Sequence, residues 1–258
     1  MSKEGNTKEV TTRKEGALAT NLFEADADKG TQNIKPEDLA LPFLKVLMPL
    51  SPEVNKKGGK YVKGAEPGMI FNSVTQELYD GAKGINVLPC HYLRQYVEWQ
   101  DRGTSSGAPV AIHKAESDIM SKVTRDKSNK DRLENGNYIE TTANHFVFLL
   151  GDHPSTALIS MKSTSLVVSR KWLATMMGIK MQGKDGLFTP PTYSHIYNLK
   201  TVQMTNDRGT WFGWAYNKVG PVTDTSIYGV AKNFSEQVSK GEVKVKHGSE
   251  EPKQATPF

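Results

Sequence analysis

Aromatic and basic side chains alternate in two segments of this sequence, at the two-residue spacing of a β-strand. In the segment 91–99, one face of such a strand would carry Tyr92, Arg94 and Tyr96. In the segment 210–218, one face would carry Phe212, Trp214, Tyr216 and Lys218. Unpaired bases stack on flat rings and phosphates seek positive charge, so these faces are suited to a single nucleic-acid strand.

The residues on the opposite face of each strand indicate which face points outward. In the first strand that face is apolar and suits the interior, with Leu93, Val97 and Trp99. We therefore expect the Tyr-Arg-Tyr face to lie outside. In the second strand the opposite face also holds an indole, that of Trp211, so the pattern leaves open whether Trp214 is a core residue or a stacking residue.

Positive charge coincides with the second aromatic face. The chain has a formal charge of +5 and a pI of about 9.0, and residues 160–220 hold eight cations against two anions. We predict that bases stack on Tyr92, Arg94, Tyr96, Trp214 and Tyr216. Phosphate contacts are predicted from Lys162, Arg170, Lys171, Lys200, Arg208 and Lys218. Binding of this kind tolerates any base sequence and weakens steeply with salt.

Residue patterns that would indicate catalysis, a metal or a cofactor are missing from the sequence. Cys90 is the single cysteine, which excludes an internal disulfide and a multi-cysteine zinc site. The histidines lack the paired spacing of metal ligands. The run 178–185 follows the phosphate-binding pattern G-x-x-x-x-G-K until Asp185 replaces the Ser or Thr that would hold magnesium. We therefore expect a non-enzymatic protein without metal or cofactor.

The hydropathy of the chain and its N-terminal residues indicate where in the cell the protein is expected. No run approaches the roughly 20 apolar residues of a membrane span. The first residues, MSKEGNTKEV, are polar and unlike a secretory signal. With one cysteine, this favours a soluble protein of a reducing cytoplasm, with no membrane partner.

Hydrophobic periodicity predicts a mainly β chain with accessory helices. Strands are expected at 69–74, 85–99 (bent near Pro89), 138–150, 156–162, 193–204 and 210–218, and helices at 163–177 and 226–241. Residues 1–33 are predicted to be mobile, 34–241 to form one domain with a long polar loop at about 101–136, and 242–258 to form a disordered tail. The economical fold is α+β, an elaborated OB-fold-like barrel of five to six strands.

The C-terminal tip adds a separate feature. The chain ends in Pro257-Phe258 after two acidic residues, although Lys253 interrupts the acidic run. This is similar to the mobile acidic tail of single-stranded DNA-binding proteins, which ends in an aromatic residue and docks on partner proteins. The tip is therefore predicted to bind partners, with an ordinary frayed terminus as the alternative.

Four segments carry a family resemblance: PFLKVLMPLSPEV at 42–54, GMIFNSVTQELYDGAKGINVLPCHY at 68–92, MKSTSLVVSRKW at 161–172 and NDRGTWFGW at 206–214. They resemble phage-encoded proteins described as single-stranded DNA-binding proteins of marine, T7-like viruses. The resemblance implies an OB-like core that coats exposed DNA during replication and recombination in the cytoplasm of the infected bacterial host. It also implies partners such as polymerase, helicase or nuclease, and it adds no catalytic residue.

The sequence thus leads to two hypotheses. The first is a single-stranded DNA-binding protein that holds DNA by stacking and phosphate neutralisation and recruits phage replication proteins through its tail. The alternative is a non-enzymatic phage structural or host-interaction protein, whose aromatic residues form the core. The sequence leaves the oligomeric state open, and a homo-oligomer is compatible with it.

Overall fold

A computed structural model describes residues 21–35, 38–101, 107–207, 209–243 and 245. The predicted site residues Arg208, Pro257 and Phe258 lie outside these described residues, as does most of the predicted tail. Contacts divide the chain after Leu39. In the first unit residues 21–25 are helical, and the second unit contains all the strands described below.

One large antiparallel sheet dominates the second unit. Its strands are β4 (Ile85–Trp99), β5 (Ala111–Lys114), β6 (Thr124–Arg125), β7 (Asp131–Arg132), β8 (Tyr138–Leu150), β9 (Ser155–Lys162), β12 (His195–Asn206) and β13 (Gly209–Pro221). The path through the sheet is β13-β12-β4-β8-β7-β6, with β5 added to β4 and β9 added to β8. The long strands β4 and β8 pair over nearly their whole length and form its centre.

This sheet is open and strongly curled, like half of a barrel. The mainly β character with accessory helices is confirmed, and the main sheet has eight strands where five or six were expected. A three-stranded sheet of β1 (Leu44–Val46), β2 (Ile70–Asn72) and β3 (Leu78–Tyr79) packs against the large sheet at β9 and β13. At one side Leu158 donates its N–H to the Pro42 carbonyl at 2.8 Å, and at the other the Thr201 hydroxyl donates to the Gly68 carbonyl.

Two helices cover the two faces of the curled sheet. Helix α1 (Ser165–Gly178) packs on the concave face, where its Trp172 joins a core with Val87, Val147 and Leu199. Helix α2 (Thr225–Ser239) packs on the convex face, where Phe234 contacts a second core. Each face of the centre is therefore buried, which explains why β4 and β8 are apolar on both sides there. A small hairpin, β10 (Met181–Gly183) with β11 (Gly186–Phe188), follows α1.

The interrupted phosphate-binding pattern falls on this hairpin. Gly178 is the last residue of α1, and Gly183 ends β10. A phosphate-binding loop must instead follow a strand and open a helix. The run 178–185 therefore follows a helix, which is not the structural context of such a loop.

The insertion at 101–136 is more ordered than its polar composition predicts. It contains β5, β6, β7 and a 3₁₀ helix at Asp118–Lys122. Arg132 bridges two carboxylates, those of Asp101 at 2.9 Å and Asp126 at 2.6 Å. Hydrogen bonds from Arg132 and Lys130 lower the pKa of Asp101 to about 2. Charge pairing and strand addition thus hold the described part of this segment.

None of the helices in the described residues is both long and apolar enough to cross a membrane.

Candidate nucleic-acid interface

A β-bulge in β4 determines which face carries the first aromatic row. The pairing with β8 shifts between Pro89 and His91. An extra residue in one strand reverses the alternation beyond it, because successive side chains point to opposite faces. Before the bulge Val87 faces the concave side, and after it Tyr92 does. The predicted bend near Pro89 is therefore a bulge, and it turns the Tyr-Arg-Tyr row towards helix α1.

Four residues predicted to bind DNA meet in one cavity on this concave face. The cavity has a volume of about 390 Å³, and its walls include Tyr92, Arg94, Tyr96 and Arg170. The first three come from β4 and the last from α1. No acidic residue contributes to its lining, so the two guanidinium groups set its charge. We call it the Tyr-Arg cavity.

The remaining wall of the Tyr-Arg cavity comes from residues that the sequence argument missed. Neighbouring β8 contributes Thr141 and Ala143, which lie directly opposite Tyr96 and Arg94 in the strand register. Leu166 and Ser169 come from α1, and Met120 comes from the 3₁₀ helix of the insertion. No local pattern signals these residues, because only the sheet register and the packing of α1 bring them together.

The Arg94 side chain is exposed but held by its neighbours. The Tyr92 hydroxyl, and more weakly the Tyr96 hydroxyl, accepts hydrogen bonds from the guanidinium and raises the pKa of Arg94. A guanidinium has five N–H donors, so donors remain for a further acceptor. The arrangement fixes a permanent positive charge beside two rings.

The two tyrosines differ in how much ring surface they offer. The Tyr92 ring lies 5.1 Å from the buried His145 ring, and it packs against the concave core. Tyr96 is half-buried and contacts no other ring among the described residues. Tyr96 is therefore the better platform for a stacked base, and Tyr92 forms the floor of the cavity.

A buried histidine supports this floor. His145 is stacked on Trp172, with ring centroids 4.7 Å apart, and its Nε2 lies 2.7 Å from the Ser169 hydroxyl oxygen. Burial lowers the pKa of His145 to about 3, so the ring is neutral at physiological pH. His145 thus links the strand that carries the rings to helix α1 without adding charge to the cavity.

The second aromatic row shares the concave face but lies under α1. Trp214 is only 4% exposed and belongs to the concave core, so it is a core residue and not an available stacking platform. Tyr216 is half-buried, and its hydroxyl lies 2.9 Å from the Thr175 hydroxyl of α1. This corrects the expectation that both rows would be displayed together: the helix occupies the space above the second row.

Two of the predicted phosphate contacts lie on the opposite, convex side of their strands. Lys162 forms an ion pair with Glu140 at 3.2 Å and is aligned with Thr142 in the register. Lys200 is aligned with Ala215, one position out of phase with the row of Trp214 and Tyr216. These lysines are therefore removed from the Tyr-Arg cavity.

Lys171 and Lys218 are exposed but also lie away from the Tyr-Arg cavity. Lys171 follows Arg170 on α1, so it projects roughly 100° further around the helix axis. Lys218 aligns with Tyr197 near the far end of β13. Of the predicted residues, the structure thus brings together Tyr92, Arg94, Tyr96 and Arg170, while Lys162, Lys171, Lys200, Trp214, Tyr216 and Lys218 lie elsewhere.

No group of three or more histidine, cysteine, aspartate or glutamate side chains could hold a metal ion within the described part of the chain. The lining of the candidate site consists of aromatic, guanidinium, hydroxyl and apolar groups.

Fold and cavity together define a curled β-sheet protein with a positively charged aromatic pocket. Residues 13–244 match the family model described as Pam3 phage gp34-like protein, and the chain belongs to this family. Neither a curated protein nor a solved structure matches the chain. The family description names a phage protein without a ligand or an activity, which supports the phage association expected from the sequence.

Proposed function

We propose that this protein binds single-stranded DNA without catalysing a reaction, and that the Tyr-Arg cavity is its contact site. The observation that carries the proposal is the convergence of Tyr92, Arg94, Tyr96 and Arg170 from two distant segments. Stacking on one aromatic ring contributes about 1–3 kcal/mol per base in proteins of this kind. Arginine matches phosphate with two parallel hydrogen bonds, which suits the guanidinium groups to the backbone.

The lining supports a nucleic-acid strand better than it supports other ligands. An apolar ligand would remove water from both guanidinium groups without offering an acceptor for their remaining N–H donors, at a cost in desolvation. A small anion alone would leave the Tyr96 ring and the Met120 and Leu166 side chains without contacts. A nucleotide strand offers both a π-face and a phosphate, and it therefore satisfies both halves of the cavity.

The family resemblance of the sequence adds a fold, a biological context and partners to this proposal. An OB-like fold would place nucleic acid on the face of a curled antiparallel sheet, and the Tyr-Arg cavity occupies the corresponding concave face. Replication and recombination of phage DNA are the proposed context, with polymerase, helicase or nuclease as partners of the Pro257-Phe258 tip. The proposed location is the host cytoplasm.

The experiment is a fluorescence anisotropy titration of labelled oligo(dT) and of a matched duplex at low salt. We expect preference for the single strand, and we expect Tyr96→Ala and Arg94→Ala each to weaken binding at least about tenfold. Tyr96→Phe is the matched variant that keeps the ring, so it should retain most of the affinity. Lys200→Ala removes a cation on the convex side and should bind like the wild-type protein.

Equal binding of single strand and duplex, or none, would contradict the proposal. It would favour the alternative, a phage structural or host-interaction protein. The burial of Trp214 is the observation on the side of that alternative, since it assigns one of the aromatic rows to the core.

A further inference from the structure

Resting on the proposed function, we infer that the Tyr-Arg cavity takes a single nucleotide unit, one base with its flanking phosphates, and is not part of a long groove. An OB-fold typically engages about 4–16 nucleotides along a continuous positive track. A site for one nucleotide unit would bind a much shorter part of the strand than such a track does.

The first argument is the shape of the site. Four elements line the cavity: β4 and the neighbouring β8 supply its sheet side, α1 supplies a second side, and the 3₁₀ helix that carries Met120 supplies a third. Tyr96 and Leu166 supply flat and apolar surface for a base, while Thr141 supplies a hydroxyl for its polar edge. A volume of about 390 Å³ with this mixture of groups is of the size that suits a small ligand part.

The distribution of positive charge also favours a site for a single nucleotide unit. Only Arg94 and Arg170 contribute cations to the cavity lining. Lys162 is paired with Glu140, and Lys200 lies on the convex side of β12. Lys162 and Lys200 therefore do not extend the cavity into a track, and Lys171 and Lys218 do not line it.

The position of α1 limits the length of strand that the concave face can hold. Its Thr175 hydroxyl lies 2.9 Å from the Tyr216 hydroxyl, and its Trp172 stacks on the Tyr216 ring. The helix thereby closes the path that would join Tyr92 to the second aromatic row across the concave face. A base held against Tyr96 cannot continue onto Trp214 while this packing persists.

Two phosphate contacts have a measurable consequence. For single strands, the slope of log Kobs against log salt concentration is about −0.7 per phosphate contact, so two arginines predict a slope near −1.4. The binding would thus depend on salt much less than the steep dependence expected from six or more cations. The affinity per site should also reach a plateau at short strand length.

The test titrates the full-length protein with 5′-phosphorylated oligo(dT) from two to about 16 nucleotides, at several salt concentrations. We expect the affinity per binding position to change less than about threefold between the shortest and longest strands, and a slope near −1.4. An affinity that rises steadily with length, with a slope of about −4 or steeper, would overturn the single-nucleotide inference while leaving the proposed function intact. Absence of binding at every length would instead remove the proposed function.

Adjacent residues of α1 give a matched pair of variants. Arg170→Ala should reduce the magnitude of the slope by about 0.7, because one phosphate contact is lost. Lys171→Ala removes the same charge one residue further along the helix, outside the cavity, and should leave the slope unchanged. If Lys171→Ala lowers the slope as much as Arg170→Ala, a track across the helix surface is indicated and the inference fails. Circular dichroism checks that both exposed substitutions leave the fold intact.

Discussion

The indole of Trp172 in α1 lies nearly parallel to the ring of Tyr216 in β13, with centroids 6.0 Å apart and planes inclined by 27°. The same indole also stacks on His145, with ring centroids 4.7 Å apart. Trp172 is fully buried, so this stack anchors the helix to the middle of the concave face. The helix then separates two aromatic rows that the sheet register places on one face.

A substitution at Trp214 tests whether the second aromatic row belongs to the core. Because it is buried in the concave core, Trp214→Ala should lower the free energy of unfolding by about 3–5 kcal/mol, as measured by urea denaturation. Trp214→Phe keeps most of the buried area and should cost clearly less. A Trp214→Ala protein as stable as the wild type would show that this indole is not a core residue.

The buried His145 predicts a dependence of stability on pH. Its pKa in the folded protein is about 3, below the value of 6.5 for an exposed histidine. The unfolded chain therefore binds more protons between these values, and stability should fall as the pH decreases from about 6.5 to about 3, by on the order of 1 kcal/mol per pH unit. Stability from this group is fully present above pH 6.5.

Urea denaturation at a series of pH values measures this effect, and His145→Gln should reduce the slope. His153→Gln, in an exposed turn, is the control and should leave the slope near that of the wild type. NMR should show the His145 ring still neutral at pH 5. A ring that titrates near 6.5 in the folded protein would contradict the buried position.

Gly68 tests the contact between the small sheet and the large one. Its φ of +89° is a left-handed conformation, and a Cβ atom there would lie 2.6 Å from the Phe212 ring. Gly68→Ala should therefore destabilise the protein by about 1–3 kcal/mol, through backbone strain and steric overlap. Gly59→Ala is the control, because a Cβ at that glycine meets no atom within 4 Å. Equal midpoints of thermal unfolding for the two variants would refute this packing.

Cys90 offers a chemical probe of the convex core. Burial raises the pKa of its thiol to about 12, and the side chain is only 1% exposed. Its reaction with Ellman's reagent at pH 8 should be at least about 100-fold slower in the native protein than in urea. Phe234→Ala, which removes a packing residue of α2, should accelerate the native reaction, whereas Lys171→Ala on the other face should not. A rapid native reaction would show that α2 does not cover this site.

Sequence periodicity predicts much of the secondary structure. Alternation of side chains predicted β4 and the hairpin of β8 with β9, and helical spacing predicted α1 and α2 within a few residues. These elements are long and strongly periodic, so local preferences and burial agree. Hydrophobic periodicity does not predict the strands of the insertion at 101–136, because each has only two to four residues. The ion pairs of Arg132 with Asp101 and Asp126 in the same segment leave no apolar pattern either.

The sequence predicts only some of the residues of the candidate site. Tyr92, Arg94 and Tyr96 could be grouped from alternation alone, because a single strand positions all three. Arg170 could be suspected from charge but not placed, since its position depends on how α1 packs. Met120 gave no signal at all, because it reaches the cavity through a 3₁₀ turn in a distant loop.

The sequence by itself determined the alternation of rings and cations along β4 and β13, because side-chain period is a local property of an extended backbone. Only the tertiary structure decided which rings are usable. The bulge after Pro89 selected the face of Tyr92, Arg94 and Tyr96, and the docking of α1 buried Trp214 while bringing Arg170 beside Arg94. Both outcomes depend on packing between segments remote in the chain, which a local pattern does not encode.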